Sequence, residues 1–383
     1  MASYNVKAII IGGGPAGMAC GITLQRQGIE NCVIDKSKFP RNKTCAGLVT
    51  SKTRGQLSLL LECDEGSLSP LFDNVADKIT LYYKQKPIVS SLIDKKMCLV
   101  KRIDFDNRLV EIYKSLGGTL LDGQTNYVID YENCSLTLSD GNVIRFQNII
   151  FADGALSRAH KDFGLKVNPV FCMEVFLEKN AIKNSGHNEI EVHFGYTGLG
   201  YLWVFPYADR IGAGFVSTSF KTDSYKGLLI KFLRERGCSI PDKELRFLGA
   251  YVPISLADQN KTPDNVIMIG DSGGFVDPIY YEGLYMALLS GRMAGEAISD
   301  SNPNPKPKQE FLSRMSRAVK MIESGKKASK IISSPFLQRI TLNRVAGKKG
   351  FLKFYCDTQL SEYNYLHNDT KIITDYFKAK FKS

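Results

Sequence analysis

Three glycines near the start of the chain have the spacing of a nucleotide-binding turn. Residues 6–11 are an apolar, β-branched stretch, and the pattern Gly-x-Gly-x-x-Gly follows it directly, at the start of an apolar helical pattern. Glycines in this spacing form a tight turn, so that backbone N–H groups and the helix N-terminus can approach a pyrophosphate. The residues predicted to bind the nucleotide here are Gly12, Gly14, Pro15, Ala16 and Gly17.

An acid follows the turn at the interval that ribose binding requires. Residues 31–34 form a second apolar strand pattern that ends in Asp35, 21 residues after Gly14. A carboxylate at this place accepts hydrogen bonds from ribose hydroxyls in dinucleotide-binding proteins. Lys36 follows it and is assigned to the same site. Because the chain has only one such fingerprint, we expect one tightly held nucleotide and no second Rossmann domain for a nicotinamide cofactor.

A second strand followed by a glycine-rich turn occurs in the carboxyl-terminal half of the chain. Residues 270–283, GDSGGFVDPIYYEG, follow the apolar residues 266–269 and precede a helical pattern over 284–298. Between the two turns, residues 148–158 form another strand pattern that ends in small residues and Asp153. A second device of this kind predicts a second binding element for the same ligand.

The order of these motifs resembles that of FAD-dependent flavoproteins with one Rossmann domain, which include aromatic hydroxylases, flavin halogenases and geranylgeranyl reductases. Three further segments resemble the geranylgeranyl reductase family: residues 43–48 (KTCAGL), 201–206 (YLWVFP) and 282–292 (EGLYMALLSGR). Two residues depart from that family's pattern, since Ala46 replaces a usual glycine and Tyr207 replaces a common lysine. The resemblance covers about residues 5 to 300.

The resemblance implies FAD as cofactor and gives roles to individual residues. Asp271 is expected to bind the ribityl chain, and a helix that begins near Gly283 and Leu284 is expected to direct its N-terminus at the flavin pyrimidine. Further cofactor contacts are expected from Cys45, Ala46, Arg102 and Asp153. The resemblance and their places beside the flavin make Cys45, Tyr280 and Tyr281 the catalytic candidates, and Tyr201, Trp203 and Phe205 the substrate-binding candidates. Ordinary packing is the alternative for Cys45 and Trp203, and a half-exposed turn position without substrate contact is the alternative for Tyr280 and Tyr281.

The pattern of elements predicts an α/β protein, α+β overall, in which a Rossmann-type FAD-binding domain is interleaved with an antiparallel-sheet substrate domain and followed by C-terminal helices. Strand patterns that fall between the nucleotide motifs cover residues 78–83, 88–92, 171–177, 189–194, 202–206 and 211–217. The predicted FAD-binding domain comprises residues 1–75, 98–168 and 260–303, the substrate domain 76–97 and 169–259, and a basic, mostly helical C-terminal segment 304–383.

The excess positive charge lies in the C-terminal segment. The net charge of the chain is +11, and residues 304–383 contain 17 lysines and arginines against 6 acids. A polar, proline-rich stretch at 300–308 indicates a linker, and apolar residues over 311–322 have helical spacing. Either this helix packs on the body with a solvated basic face, or the segment is attracted to anionic lipid headgroups. We do not expect nucleic acid as a partner, because no recognisable binding module accompanies the charge.

The apolar runs and the cysteines of the sequence indicate the cellular compartment in which the protein is expected. The sequence has no run of 18 apolar residues and no cleavable signal pattern at its start. Nine scattered cysteines without a Cys-x-x-Cys pair favour a reducing compartment and argue against a disulfide or zinc framework, so no metal site is predicted. We therefore expect a cytoplasmic protein, either free or peripheral on the inner face of the membrane.

The expected reaction is reduction of a carbon–carbon double bond in a hydrophobic, lipid-like and in particular isoprenoid substrate. An external donor, NADPH or reduced ferredoxin, would reduce the FAD, and flavin N5 would deliver a hydride. The first alternative is an oxygen-using hydroxylase or halogenase acting on an aromatic substrate, although the halogenase signature has a second tryptophan where this chain has Tyr201. A second alternative is a non-enzymatic protein that binds FAD as a structural ligand or redox sensor.

Overall fold

A computed structural model of the chain describes residues 3–332 apart from 184–185, 187, 198–199, 219–224 and 300–305. Two β-sheets form its frame. The first sheet has parallel strands in the order β6-β2-β1-β9, with β15 beside the carboxyl half of β9 and an antiparallel hairpin, β7 and β8, beside its amino half. Its strands are β1 (Ser3–Ile11), β2 (Asn31–Ile34), β6 (Thr119–Leu121), β7 (Tyr127–Asp130), β8 (Ser135–Leu138), β9 (Val143–Phe151) and β15 (Val266–Met268).

The central strands of this sheet are apolar on both faces and are covered on both. Ile9 and Ile10 of β1 are fully buried and point to opposite faces, where they join different hydrophobic clusters. Helices cover one face, and the β7–β8 hairpin with a short helix, α4 (Arg158–Asp162), covers the other. The helices on the first face include α1 (Pro15–Arg26), α2 (Ser51–Leu61), α3 (Arg102–Ser115) and α6 (Leu284–Ser299).

The second sheet runs in the order β14-β10-β13-β12-β11-β4-β5-β3, and its neighbouring strands are antiparallel except for the pair β4 and β11. One face is covered by the helix α5 (Tyr225–Glu235), and the other carries an aromatic cluster. Its strands are β3 (Leu48–Val49), β4 (Asn74–Tyr83), β5 (Lys86–Leu99), β10 (Pro169–Glu178), β11 (Glu189–Phe194), β12 (Gly200–Pro206), β13 (Arg210–Ser217) and β14 (Phe247–Pro253).

The predicted fold class is confirmed, because a Rossmann-type parallel sheet and a largely antiparallel sheet alternate along the chain. The strand patterns expected from the sequence lie within β4, β5 and β10 to β13. β4 and β5 of the second sheet together span residues 74–99, and β3 comes from the first segment of the predicted FAD-binding domain. The division into two domains at the predicted boundaries stays a prediction.

The described part of the basic segment packs on the body. It forms two helices, α7 (Pro307–Arg314) and α8 (Ser316–Ile332), where the spacing predicted one. Phe311, Met315, Ala318 and Ile322 are buried against the helical face of the first sheet, and the Phe311 ring meets the edge of Phe275 at 5.9 Å. The apolar face of the described segment therefore packs on the body, while Arg317, Lys320 and Lys327 stay exposed.

The predicted linker is corrected at its carboxyl end. Residues 300–305 lie outside the described residues, but Lys308 belongs to α7 and is only 4% exposed. Its ammonium group donates to the carbonyl oxygen of Thr262 at 2.6 Å and to the hydroxyl of Thr262 at 2.9 Å. A helix tolerates a proline at its first position, because the N–H that proline lacks would have no partner within the helix there. Pro307 can therefore start α7, and Lys308 is bound by Thr262, so the helix begins inside the predicted linker.

None of the described helices is long and apolar enough to cross a membrane. The eight cysteines within the described residues are free thiols.

Candidate active site

The first glycine turn is packed too tightly for side chains. Gly12 has φ +110°, and a Cβ there would lie 2.4 Å from the carbonyl oxygen of Ala152. A Cβ on Gly17 would lie 1.9 Å from the carbonyl oxygen of Gly12. α1 begins directly after Gly14, and no side chain of the described residues caps its N-terminus. The turn therefore presents backbone N–H groups and the positive end of a helix, which together form an anion-binding site.

Asp35 lies against this turn at the end of β2. Its Oδ2 accepts a hydrogen bond from the Gly13 N–H at 2.7 Å, and its Oδ1 accepts one from the Ser37 N–H at 2.8 Å. A carboxylate offers about four acceptor positions, so Asp35 keeps capacity for ribose hydroxyls. The structure places the predicted Lys36 on the exposed surface beside it.

An arginine that sequence reasoning missed lies at the mouth of the turn. The Arg41 guanidinium lies 4.8 Å above the Phe39 ring, and its Nη2 is 3.5 Å from where a Cβ on Gly14 would be. Asp106 is buried on α3, and its Oδ2 forms an ion pair with Arg41 Nη1 at 3.3 Å. The same carboxylate accepts two hydrogen bonds from the predicted Arg102, at 2.7 and 2.8 Å. Asp106 thus fixes two guanidinium groups, and that of Arg41 lies beside the first glycine turn.

Asp153 links the middle motif to the second glycine turn. Its Oδ1 accepts a hydrogen bond from the Ser272 hydroxyl at 3.1 Å, and the same hydroxyl accepts the Gly154 N–H at 3.1 Å. The Arg158 N–H donates to the other carboxylate oxygen at 2.8 Å. Because β1, β9 and β15 are parallel, the turns that follow them share one edge of the sheet, where ligands bind in open α/β sheets.

The two helices that follow the glycine turns are packed side by side. A Cβ on Gly291 of α6 would lie 2.3 Å from the carbonyl oxygen of Ala16, and one on Gly295 would lie 2.7 Å from Thr23 Cβ. The contacts advance in the same direction along both helices, so their N-termini point the same way. α6 begins seven residues before Gly291 and α1 begins one before Ala16, so α6 reaches roughly 9 Å further.

Asp271 lies at the start of this longer helix. Its Oδ1 is 3.2 Å from where a Cβ on Gly283 would be, one residue before Leu284 opens α6. Burial raises the pKa of Asp271, and the charges of Lys43 and Arg102 oppose the rise. A carboxyl group and the N-terminus of α6 therefore lie close together.

The expected substrate residues form one aromatic wall with the turn that precedes α6. Tyr201, Trp203 and Phe205 alternate along β12 and lie in one cluster with Tyr280 and Tyr281. The Tyr201 hydroxyl donates to the carbonyl oxygen of Tyr280. Trp203 is buried, and its Nε1–H has no hydrogen-bond partner among the described residues. The structure thus brings together all five residues.

A buried ion pair holds that turn in place. Glu282 accepts the Lys52 ammonium at 2.7 Å and the hydroxyls of Thr50 and Thr53 at 3.0 Å each, all from the start of α2. Burial works to lower the pKa of Lys52, but the charges of Glu282 and Asp277 outweigh it and the pKa rises. Tyr281, the residue before Glu282, has φ +54°, a strained conformation for a tyrosine. No local pattern signals Thr50, Lys52 or Thr53.

The loop with Cys45 bridges the two sheets. The Cys45 N–H donates to Glu174 Oε1 at 2.8 Å, and its thiol interacts with Arg102 at the start of α3. Tyr207, which replaces the family's common lysine, donates its hydroxyl to the carbonyl oxygen of Ala46 at 2.9 Å. Sequence reasoning missed Glu174, although an acid inside the apolar run FCMEVFL was a visible signal.

Known proteins share this sequence pattern. Residues 6–184 match the pyridine nucleotide-disulphide oxidoreductase family. The chain is 28% identical to an uncharacterized protein of Methanosarcina barkeri (79% of this chain, 76% of that one). It is 26% identical to the chloroplastic geranylgeranyl diphosphate reductase of Nicotiana tabacum, in a match that covers 78% of this chain and 67% of that protein. It is 25% identical to the menaquinone reductase of Mycobacterium tuberculosis, in a match that covers 77% of this chain and 76% of that protein.

The chain is an FAD-dependent oxidoreductase. The resemblance to the geranylgeranyl reductase family and the assignment of FAD as cofactor are confirmed.

Solved structures show how widely the fold of this oxidoreductase is used. A geranylgeranyl bacteriochlorophyll reductase-like protein of Thermoplasma acidophilum has a TM-score of 0.76 at 15% identity (96% of this chain, 100% of that one). Klebsiella pneumoniae HpxO, complexed with FAD, has a TM-score of 0.71 at 15% identity (93% and 98%). The halogenase PltM, also complexed with FAD, has a TM-score of 0.66 at 16% identity (88% and 78%). At these identities the likeness shows the fold alone.

The residues of the oxidoreductase fit FAD. Gly12 and Gly17 form a cradle that a Cβ would fill, and the open N-terminus of α1 with Arg41 suits a pyrophosphate. The N-terminus of α6 lies beyond that of α1, so α6 would face the flavin ring while the first glycine turn would hold the phosphates. The individual roles of the predicted cofactor and catalytic residues stay predictions.

Proposed function

We propose that this oxidoreductase reduces carbon–carbon double bonds of an isoprenoid or similarly hydrophobic, lipid-like substrate. The observation that carries the proposal is the aromatic wall of Tyr201, Trp203 and Phe205, which meets the Tyr280 turn just before the N-terminus of α6. An apolar, aromatic surface of this kind suits a substrate without charge near its reacting carbons. Relatives named as reductases of geranylgeranyl diphosphate, menaquinone and digeranylgeranylglycerophospholipid support the same substrate class.

The chain's own residues divide the work of such a reaction. Bound FAD supplies a hydride from N5 of its reduced form. The turn at residues 12–17 and Arg41 bind the phosphates, and Asp271 orients the ribityl chain. The N-terminus of α6 stabilises negative charge on the flavin ring. The aromatic wall holds the isoprenoid chain against the ring and excludes water, which keeps the reacting atoms in a near-attack arrangement.

The test is anaerobic turnover with defined substrates. Chemically reduced protein is mixed with geranylgeranyl diphosphate or with menaquinone, and the products are analysed by mass spectrometry. We expect oxidation of the flavin together with a gain of two hydrogens for each double bond reduced. Flavin that stays reduced with both substrates, and with the lipids that co-purify, would contradict the proposal.

A second candidate is a flavin monooxygenase, because a halogenase and a probable FAD-dependent monooxygenase share the fold. Aerobic turnover under ¹⁸O₂ separates the two reactions. A monooxygenase incorporates the label into its product, whereas the proposed reductase gives an unlabelled, hydrogenated product. Label in the product would replace our proposal with this one.

The proposed reaction needs an external electron donor, and we propose NADPH or reduced ferredoxin. The absence of a second nucleotide fingerprint in the sequence favours a donor that binds transiently. We also propose that the basic C-terminal segment brings the protein to anionic membranes, where such substrates reside.

A further inference from the structure

A buried carboxyl group lies on the sheet face that carries the aromatic wall. Side chains alternate along β10, so Glu174 shares its face with Cys172 and Phe176, which pack against the cluster of Trp203. Glu174 is 1% exposed. A charged group at such a position costs free energy unless it is neutralised or compensated by partners, so its presence needs an explanation.

The aromatic wall extends toward this carboxyl group. Glu174 pairs with Gly214 of β13, and Gly214 pairs in turn with Trp203 of β12, so the three residues form one row across the sheet. A Cβ on Gly214 would lie 2.4 Å from Trp203 Cζ2. The indole therefore lies over the glycine, and the row leaves no other side chain between Trp203 and Glu174.

One oxygen of the Glu174 carboxyl group accepts a hydrogen bond, and the other has no hydrogen-bond partner among the described residues. Oε1 accepts the Cys45 N–H at 2.8 Å, whereas Oε2 has no hydrogen-bond partner in the described part of the chain. Within the same residues Glu174 also forms no ion pair, since no cation comes within 4.0 Å of its carboxylate. An oxygen without a donor is the natural place for a proton.

The surroundings leave the group able to hold a proton near neutral pH. The titratable and charged groups that face it come from every packed element: Lys43 and Cys45 of the loop before β3, Arg102 of α3, Cys172 of β10, Tyr207 before β13, and Arg210 of β13. Burial raises the pKa of Glu174 to about 7, although the Cys45 N–H and the charges of Arg102, Arg210 and Lys43 lower it.

Other candidates on this face are less suited to give up a proton. Glu282 is already bound by the ammonium group of Lys52 and by two threonine hydroxyls, so its oxygens are occupied by other partners. Burial and the charge of Asp277 raise the pKa of Tyr281 to about 12. A general acid works best when its pKa lies near the pH of the reaction, and Glu174 meets this condition.

We propose that Glu174 is the catalytic residue that donates the proton in the reduction, with its Oε2 against the substrate's double bond. The inference rests on the proposed function. One alkene carbon receives a hydride from the reduced flavin, which is oxidised, and the two electrons of the π bond take the proton of Glu174 onto the other carbon. The alkene is thereby reduced, and Glu174 is left as a carboxylate. The half-exposed loop at Cys45 gives the carboxylate a route to a new proton from solvent.

The experiment compares wild type, Glu174→Gln and Glu178→Gln, each loaded with FAD. Glutamine keeps an acceptor for the Cys45 N–H but cannot donate an acidic proton, and Glu178 is an exposed glutamate on the same strand. Anaerobic single-turnover reduction of geranylgeranyl diphosphate or menaquinone should slow about 100- to 10,000-fold in Glu174→Gln and stay unchanged in Glu178→Gln. The wild-type rate should fall as the pH rises past about 7, and the rate of Glu174→Gln should not.

A readout without turnover accompanies the rates. Infrared difference spectra of the FAD-loaded wild type, recorded across neutral pH without substrate, should show the C=O band of a neutral carboxyl group that disappears as the pH rises and is missing in Glu174→Gln. If Glu174→Gln does not retain FAD, Glu174→Asp replaces it, with a smaller loss of rate and a preserved dependence on acid.

Two negative outcomes are distinguishable. Wild-type rates and pH dependence in the FAD-retaining Glu174→Gln, or the absence of the carboxyl band, would overturn the role of Glu174 and leave the reductase in place. A wild type that reduces neither substrate would overturn the reductase itself, and the role of Glu174 with it.

Discussion

Arg41 is the residue on which we expect the phosphate half of the site to depend most. Its guanidinium lies at the open mouth of the first glycine turn and is held there by Asp106. A charged hydrogen bond to a phosphate contributes about 1.5 to 3 kcal/mol, so Arg41→Ala should weaken FAD binding about 10- to 100-fold. Titration of the apoprotein with FAD, followed by quenching of flavin fluorescence, measures the change.

Arg108→Ala is the matched control for this prediction. Arg108 lies on the exposed side of α3 and pairs with Glu111 at 2.9 Å, so its removal should leave FAD affinity unchanged. Equal affinities for Arg41→Ala and wild type would show that Arg41 does not contact the cofactor.

Glu174 also predicts a dependence of stability on pH. Its pKa is raised from an ordinary 4.5 to about 7, so the folded state keeps a proton that the unfolded state releases between these values. The free energy of unfolding of wild type should therefore fall relative to Glu174→Gln as the pH rises through this window, by about 3 kcal/mol. Urea denaturation of the FAD-loaded proteins at pH 5 and pH 8 measures the difference.

The exposed Glu178→Gln should show no such change in its difference from wild type. A constant difference between wild type and Glu174→Gln at the two pH values would mean that the buried carboxyl group is not protonated in the folded state.

At the scale of residues, the sequence predicts residues that a local turn requires, such as its glycines. It does not predict contacts between residues that are distant in the sequence. Gly12 and Gly17 are predictable because the turn itself has no room for a Cβ. Arg41 and Asp106 belong to different elements, and only the folded chain brings them to 3.3 Å. Glu174 meets Cys45 in the same way, across 129 positions of the sequence.

The contact between α1 and α6 is the element-scale feature that sets the geometry of the site. Gly291→Ala would place a Cβ 2.3 Å from the carbonyl oxygen of Ala16, and neither backbone yields easily. Overpacking of this kind costs about 1 to 3 kcal/mol, and we expect a lower free energy of unfolding together with weaker FAD binding. Denaturation and flavin titration of the same preparation measure both effects.

Gly55→Ala provides the matched helical control. Gly55 lies inside α2 with no atom within 4 Å of an added Cβ, so alanine should raise the free energy of unfolding by up to about 1 kcal/mol. If the two variants behave alike, close packing of α1 on α6 does not govern the site.

Periodicity predicts elements well where a pattern is long, and poorly where packing decides the ends. The strands of the second sheet follow their apolar patterns, and α6 begins at the predicted Leu284. The apolar residues with helical spacing over 311–322 fall on two helices, α7 and α8, which are separated at Met315 and both bury apolar residues on the body. Helical spacing of apolar residues shows which side chains can be buried, but it does not show the shape of the surface on which the helix packs.

At the scale of the whole molecule, membrane attachment can be tested without removing the C-terminal segment. Deleting it would expose the core around Phe311, so charge reversal on the outer face of α8 is the cleaner change. Arg317, Lys320 and Lys327 are exposed there, and changing all three to glutamate should remove roughly 1 kcal/mol of attraction per residue to an anionic surface. Sedimentation with phosphatidylglycerol vesicles, compared with phosphatidylcholine vesicles, measures the loss.

The control reverses three exposed lysines outside the C-terminal segment, namely Lys161, Lys231 and Lys243. It changes the net charge equally, so a similar loss in both triple variants would point to the charge of the whole molecule and not to a membrane-facing helix.

The shared backbone contact of α1 and α6 has a consequence for how the cofactor is lost. In the proposed binding mode, one end of the flavin nucleotide would contact α1 and the other end α6, and Gly291 packs against Ala16 with no room for a Cβ between the two helices. Release of the cofactor should therefore be a single rare event whose rate rises with urea, as local unfolding does, and not a stepwise peeling from the phosphates toward the ring.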